Sequence, residues 1–465
     1  MTPHQLRLCA DYMKILGIDI GTTTITALIL DTDKKEILKA STVNNDSFID
    51  GRAFEKIQSV EKIVARVKEA VKSVCCEYTP DAIGITGQMH GILYLDKDNK
   101  PCSHLMIWQD ERGNQPYKDG ETYAEFLTRE TGIKAASGFG LTTHFYNIIN
   151  NEVPENAVML CTIHDYIASL ITNTKPVNHS SDGASLGFFN LKEKCFDEKA
   201  LKIAGIHKGF LPDVITTTAT IGKSSCDFLV DGIPVAVAIG DNQASFIGSV
   251  CEPESSILVN VGTGSQVSFV TKEVKPVQTG EIRPLTDDKY IFVGASLCGG
   301  RAYAILKSFF SLCADMLGGS KDNLYKKMDE LSKNIFSDKN ELFINCEFCG
   351  SRENPTARGS ITNIGTENFT PENLICGVLK GVSKELKDMY TSAKDLLRFT
   401  PKKLVCSGNG LRKSEIWRKV FENDFDLPSE LPKYSEEACI GACVFASSAT
   451  GEFSDIETAQ RNLLR

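Results

Sequence analysis

A strand that runs into a turn of glycine and threonine and straight back occurs twice in this chain, and it restricts the fold more than any other feature. The first copy is Lys14-Ile-Leu-Gly-Ile-Asp-Ile-Gly21, a turn at Thr22-Thr-Thr24, and the return Ile25-Thr-Ala-Leu-Ile-Leu30. The second is Ser256-Ile-Leu-Val-Asn-Val261, Gly262-Thr-Gly-Ser265 and Gln266-Val-Ser-Phe-Val270. Both read as β-hairpins, with period-two strands bounded by turn residues. They lie about half a chain length apart, which points to a duplicated βαβ-type domain. Chance likeness of two hairpins is the alternative.

Other elements fit an α/β arrangement. A helix is predicted over Phe54–Ser73, where Ile57, Val60, Ile63, Val64 and Val67 share a stripe. Strands are expected at Ala82–Thr86, running into Gly87-Gln-Met-His-Gly91, and at Pro234–Gly240, ending on Asp241. In the second half the spacing predicts helices over Arg301–Leu317, Asp322–Asn334, Pro371–Leu397 and Ser435–Thr450. A strand at Lys403–Cys406 opens into Ser407-Gly-Asn-Gly-Leu411, with the next helix beginning near Lys413.

Composition removes several function classes. With 465 residues, two or three domains are expected. The formal charge is −9 and there is no long basic run, so nucleic-acid binding is not expected. No apolar run reaches the roughly 18 residues of a membrane span, and no secretory leader is evident, so no membrane partner is expected. Residues Met1–Tyr12 read as a short extension, with Met13 as a candidate start. The 16 cysteines are scattered and read as free thiols of a reducing cytosol, which places the chain in the cytoplasm. Cys346 and Cys349 form one CxxC, but without a second ligand pair this reads as loop or core rather than zinc.

The common nucleotide motifs are incomplete. Gly222-Lys223-Ser224 lacks the earlier glycine of a P-loop, and Gly262-x-Gly264 and Gly408-x-Gly410 each lack the third glycine of a dinucleotide fingerprint. A nicotinamide oxidoreductase is thereby disfavoured. The two hairpin turns can serve instead, since small residues let backbone amides approach phosphate oxygens. Asp19, two residues before the first turn, is a carboxylate in a buried-type strand and requires a partner: magnesium, or loop amides. Asp241 sits at a strand's carboxyl end, where it can take a proton from an attacking hydroxyl; a helix cap is the plainer reading. His90 can bond a sugar hydroxyl or be structural, with Met89 as an apolar wall. Trp108 can stack on a sugar or fill a core.

Six blocks in this order resemble the FGGY carbohydrate kinases: Gly17-Ile-Asp-Ile-Gly-Thr-Thr-Thr24, Gly84-Ile-Thr-Gly-Gln-Met-His-Gly91, Ile107-Trp-Gln-Asp-Glu-Arg112, Gly240-Asp-Asn-Gln243, Val261-Gly-Thr-Gly264 and Ser407-Gly-Asn-Gly410. The resemblance implies an α/β, actin-like ATPase fold of two ribonuclease-H-like domains, residues 14–249 and 250–465, with the active site in the cleft between them. It implies ATP and Mg2+ as cofactors, with phosphates held by Gly21, Thr22, Thr23 and Thr24 and by Gly262, Thr263 and Gly264. Gly408 and Gly410 would lie against adenosine, Asp19 and Asp241 near the metal, and Asp241 would be the catalytic base. Gln88, Met89, His90, Trp108, Asp241 and Asn242 would border the sugar. Three further stretches, Thr162–Tyr166, Ser181–Asn190 and Gly294–Gly300, set the expectation that the acceptor is sedoheptulose, with xylulose the next choice. The reading from another class is an actin-fold nucleotide binder, regulatory or chaperone-like, without sugar chemistry. Oligomeric state stays open between monomer and dimer.

Overall fold

The computed structural model describes residues 13–336, 341–351, 354 and 356–465; the extension expected at Met1–Tyr12 lies outside the described residues. These residues divide into two compact units. The first takes the chain up to Cys251, then Pro284–Asp288 and Tyr434–Arg465; the second takes Glu252–Arg283 and Lys289–Lys433.

In the first unit the opening hairpin is β1 (Lys14–Ile20) and β2 (Thr24–Asp31), followed by β3 (Glu36–Asn44). Helix α1 covers Val60–Cys75, beginning later than the apolar stripe suggested, and β4 is Ala82–Gly87. The late start has a local cause. Ser59 caps the helix by accepting from the Lys62 amide, while Ile57 and Gln58 are drawn into a short strand. Helices α2 (Ile163–Thr172) and α3 (Ser180–Leu186) come next, then β5 (Thr220–Lys223). The expected strand at 234–240 is broken into β6 (Pro234–Ala236) and β7 (Ile239–Gly240), both parallel to β4, and α4 (Asp241–Ser249) follows at once.

The sheet order is β5-β6-β4-β1-β2-β3, with β7 also on β4. Apolar residues of β1, β2 and β4 pack against Ile63, Val67, Val71 and Val74 of α1 to make the main core. A second core, from Ile92 to Leu211, holds the long excursion between β4 and β5.

The second unit repeats the wiring. Strands β8 (Ser256–Val261) and β9 (Ser265–Thr271) form an antiparallel hairpin, continued by β10 (Glu281–Pro284) and β11 (Tyr290–Ser296). Helices α5 (Gly300–Met316) and α6 (Pro371–Ser392) precede β12 (Lys403–Ser407), which lies parallel to β8 as β4 lies parallel to β1. The strand order is β10-β11-β9-β8-β12-β13, where β13 is Ser429–Glu430. One expectation is corrected here. Residues Gly408–Lys413 are not an open loop but a short helix, α7, and α8 (Glu415–Phe425) follows.

The last long helix, α9 (Glu437–Ala449), returns to the first unit and packs on α4, β1 and β4. Its approach to α4 is backbone to backbone: a Cβ on Gly441 would stand 1.8 Å from the carbonyl oxygen of Ala244. Glycine is required at that crossing, which fixes where α4, and hence its first residue Asp241, can lie.

Candidate functional site

Strand register assembles the site in the first unit. Parallel pairing sets Asp19 beside Thr86 and Thr86 beside Ile239; one step on, Ile20, Gly87 and Gly240 are paired. The next residues, Gly21, Gln88 and Asp241, therefore leave the sheet together at the carboxyl ends of three adjacent strands, where open α/β sheets bind ligands. Asp241 is half-buried and is the first residue of α4, with Gly240 as N-cap. The amino end of a helix favours the ionised carboxylate there. Met89 packs over Gly240 so closely that a Cβ on the glycine would lie 2.7 Å from its Sδ and Cε.

Hydrogen bonds tie the first turn to the residues that follow β4. Thr22 Oγ1 donates to Gln88 Oε1 (3.0 Å) and accepts from Trp108 Nε1 (3.0 Å). Gln88 Nε2 donates to Gln58 Oε1 (2.8 Å), and Gln58 Nε2 donates to the Thr22 carbonyl (2.8 Å). Asn45 braces the same turn, its Nδ2 donating to the Gly21 carbonyl at 2.8 Å. Trp108 is 46% exposed, so the core reading of this residue fails and its indole presents a face to solvent. The motif around it explains its position. Arg112 donates to Asp110 Oδ2 (2.6 Å) and Glu55 Oε1 (2.5 Å), pinning the loop on both sides.

His90 has a left-handed backbone, φ 73°, which few non-glycine residues adopt. Its amide donates to Ser185 Oγ (3.2 Å), its Nδ1 donates to the Ser185 carbonyl (2.8 Å), and its ring stacks on Phe139 at 5.0 Å. Ser185 in turn donates to Asp182 Oδ1 (2.7 Å).

Asp19 answers the question raised by its sequence position. Its Oδ1 is enclosed and has no hydrogen-bond partner, so loop amides do not satisfy it. Burial pushes its carboxyl up to about 7, with Asp241 and Glu436 adding to the rise and His164 opposing it. A carboxylate oxygen with no partner, within the field of a second carboxylate, fits a hard divalent cation such as Mg2+. His164, Asp165 and Asp182 also gather three buried ligand atoms within 4.8 Å. There the positive charge is already present. Burial works against protonating His164, but Asp182 at 3.1 Å prevails and raises the ring to about 9.

In the second unit the turn Gly262–Gly264 is braced from below. The Gly300 amide donates to the Gly262 carbonyl (2.8 Å), and those of Gly299 and Arg301 donate to the Thr263 carbonyl (3.0 Å each). Asn260, which holds the place that Asp19 holds in the first hairpin, donates to Ser407 Oγ (2.7 Å) beside Gly408 and Gly410.

Sequence reasoning missed Gln58 and Asn45, whereas His164, Asp182 and Ser185 fell inside the stretches Thr162–Tyr166 and Ser181–Asn190 but were given no role of their own.

Two mixed sheets, each opened by an antiparallel glycine hairpin and continued by parallel strands, with a carboxylate at a strand end of the first, define an α/β protein of the actin-like, ribonuclease-H-like fold class. The chain matches the FGGY family of carbohydrate kinases, N-terminal domain, over residues 14–248, and it belongs to that family; it is a sugar phosphotransferase. The chaperone-like and oxidoreductase readings are thereby set aside. It is similar to the sedoheptulokinase of Mus musculus, 25% identical with 89% of this chain and 93% of the relative covered. It is also similar to the gluconokinase of Bacillus subtilis, 24% identical with 95% and 89% covered. The xylulose kinase of Rhodospirillum rubrum has the same fold, with a TM-score of 0.84 at 17% identity over 97% of this chain and 93% of that one. No helix among the described residues is long and apolar enough to cross a membrane.

Proposed function

We propose that this kinase transfers the γ-phosphoryl group of ATP to a terminal hydroxyl of a ketose, sedoheptulose at O7, with Asp241 as the base. The observation that carries this reading is the common exit of Gly21, Gln88 and Asp241 from three paired strands. It puts a phosphate-type turn, a hydroxyl-binding amide and a carboxylate at one edge. The hydroxyl proton passes to the Asp241 carboxylate as its oxygen attacks phosphorus, and the bond from phosphorus to ADP breaks.

The turn Gly21–Thr24 and the turn Gly262–Gly264 are assigned to phosphates, and Gly408 and Gly410 to adenosine. Asp19 and Asp241 are the residues that would hold Mg2+, which when bound offsets phosphate charge. Gln88, Met89, His90, Trp108 and Asn242 are assigned to the sugar, with Trp108 offering its exposed indole to an apolar face. The boundaries 14–249 and 250–465 remain our proposal for a sugar-side and a nucleotide-side part of the sequence, with residues 434–465 of the latter packed in the first compact unit. The choice of a seven-carbon ketose rests on the likeness to sedoheptulokinases together with the stretches Thr162–Tyr166, Ser181–Asn190 and Gly294–Gly300.

The test is a panel of sedoheptulose, xylulose, ribulose, fructose, gluconate and glycerol with Mg-ATP, following ADP and sugar phosphate together. Preference for sedoheptulose, with kcat reduced about 10²–10⁴-fold in Asp241→Asn, is the expected result. Preference for another acceptor overturns the substrate and keeps the base. Unreduced turnover in Asp241→Asn overturns the base.

A further inference from the structure

The CxxC pair finds a partner that its own sequence does not contain. Cys346 is buried, with its sulfur 3.6 Å from the Val378 carbonyl oxygen of α6. Cys349 faces elsewhere. Its Sγ lies 3.7 Å from Cys298 Sγ and 3.6 Å from Arg301 Nη1, with both groups oriented as donors toward it. The Cys349 sulfur thus lies against a guanidinium and a second thiol, surroundings in which cysteines react. Cys349 is half-buried and Cys298 fully buried, so an oxidant reaches Cys349 first. Burial, with Cys349 beside it, lifts the Cys298 thiol and keeps its proton in place.

Cys298 is not in a neutral position. It is followed directly by Gly299, Gly300 and Arg301, the three amides that brace the turn Gly262–Gly264. A sulfur–sulfur bond is about 2.05 Å long, so closing it must draw the Cys298 and Cys349 segments together and pull on that brace.

We propose that Cys349 is a redox-active thiol that forms a disulfide with Cys298 on exposure to hydrogen peroxide, and that this bond lowers kinase activity reversibly. In the first step the Cys349 sulfur attacks the peroxide, the O–O bond breaks, and a sulfenic acid and water form. In the second the Cys298 sulfur attacks the sulfenic sulfur, hydroxide leaves with the Cys298 proton as water, and the S–S bond closes. Two thiols lose two electrons to one peroxide, giving one disulfide and two waters. The bond itself does not depend on the function proposed above; its effect on activity rests on reading Gly262–Gly264 as a phosphate turn.

Full-length reduced protein treated with hydrogen peroxide, alkylated and mapped by mass spectrometry tests the bond. A peptide joining Cys298 to Cys349 is expected, with a fall of about tenfold in kcat/KM for ATP that dithiothreitol reverses. Cys349→Ser, and separately Cys298→Ala, should keep their activity through the same treatment. Absence of the joined peptide, with Cys349 still alkylated or oxidised alone, overturns the proposal. A joined peptide with unchanged turnover overturns the control of activity. If the reduced protein turns over no sugar at all, the proposed function fails instead, and the peptide map still decides the bond.

Discussion

Trp108 illustrates how one side chain serves two ends. Its N–H holds Thr22 in the first turn, while nearly half its surface faces solvent. Replacing it by Ala removes both a stacking surface and a donor to the turn. Stacking on an exposed aromatic face contributes about 1 kcal/mol. The KM for sugar in Trp108→Ala should therefore rise about five- to tenfold, with kcat changed less, as initial-rate kinetics would read. His164 makes a different residue-scale prediction. Its pKa is raised in the fold to about 9 from 6.5, so the ion pair with Asp182 stabilises fully below about pH 6.5 and is lost as pH rises through about 9. Removing one partner of a buried pair costs about 3–5 kcal/mol. Thermal melts of wild type and His164→Gln should differ widely at pH 6 and converge toward pH 10. A gap that widens with pH would contradict the assignment of charge.

At the scale of elements, the crossing of α4 and α9 is the point of least tolerance. A side chain on Gly441 has no room beside the Ala244 carbonyl, so Gly441→Val must displace α4 and with it Asp241. Overpacking of this kind costs about 1–3 kcal/mol. Tm should fall by several degrees, and kcat should fall further than the melting shift alone explains when both are measured well below Tm. The elements also show what the sequence makes legible. Both glycine hairpins and the ends of β4, β8 and β12 were readable because period-two strands end on turn residues within a short window. The start of α1 was not, since the stripe through Ile57 continued past the point where Ser59 caps the helix. Helix α2 escaped because it is buried on nearly every side with His164, Asp165 and Ser169 among its apolar residues, leaving no polar face to set a period. The Thr22–Gln88–Gln58–Trp108 network was only half legible. Gln88 and Trp108 stand in recognisable blocks, whereas Gln58 is a polar residue whose partner is 36 positions away.

Across the whole molecule, the first unit is discontinuous, and this has a consequence for its stability. Helix α9 buries ten of its thirteen residues, Cys439 through Ser448, without a break. A helix apolar on all sides belongs in a core, and this one lies against β1, β4 and α4, which carry Asp19, lead into Gln88 and begin with Asp241 respectively. Residues 434–465 also supply Gln460, whose Nε2 donates to the Ile247 and Val250 carbonyls at the end of α4 (3.0 and 2.8 Å). A chain cut after Lys433 would leave the faces of β1 and β4 bare and two carbonyls of α4 without their donor. Each buried group left unpaired costs about 1–3 kcal/mol, and the uncovered apolar surface adds more than a domain's usual margin of about 5–15 kcal/mol can absorb. The cut protein should therefore be insoluble or bind a hydrophobic dye strongly. Joining residues 434–465 directly to residue 251 through a flexible linker should recover a soluble first unit with a cooperative melt. If residues 13–251 alone were soluble and melted cooperatively, α9 would be an accessory rather than a part of the core that holds the edge with Gly21, Gln88 and Asp241 in place.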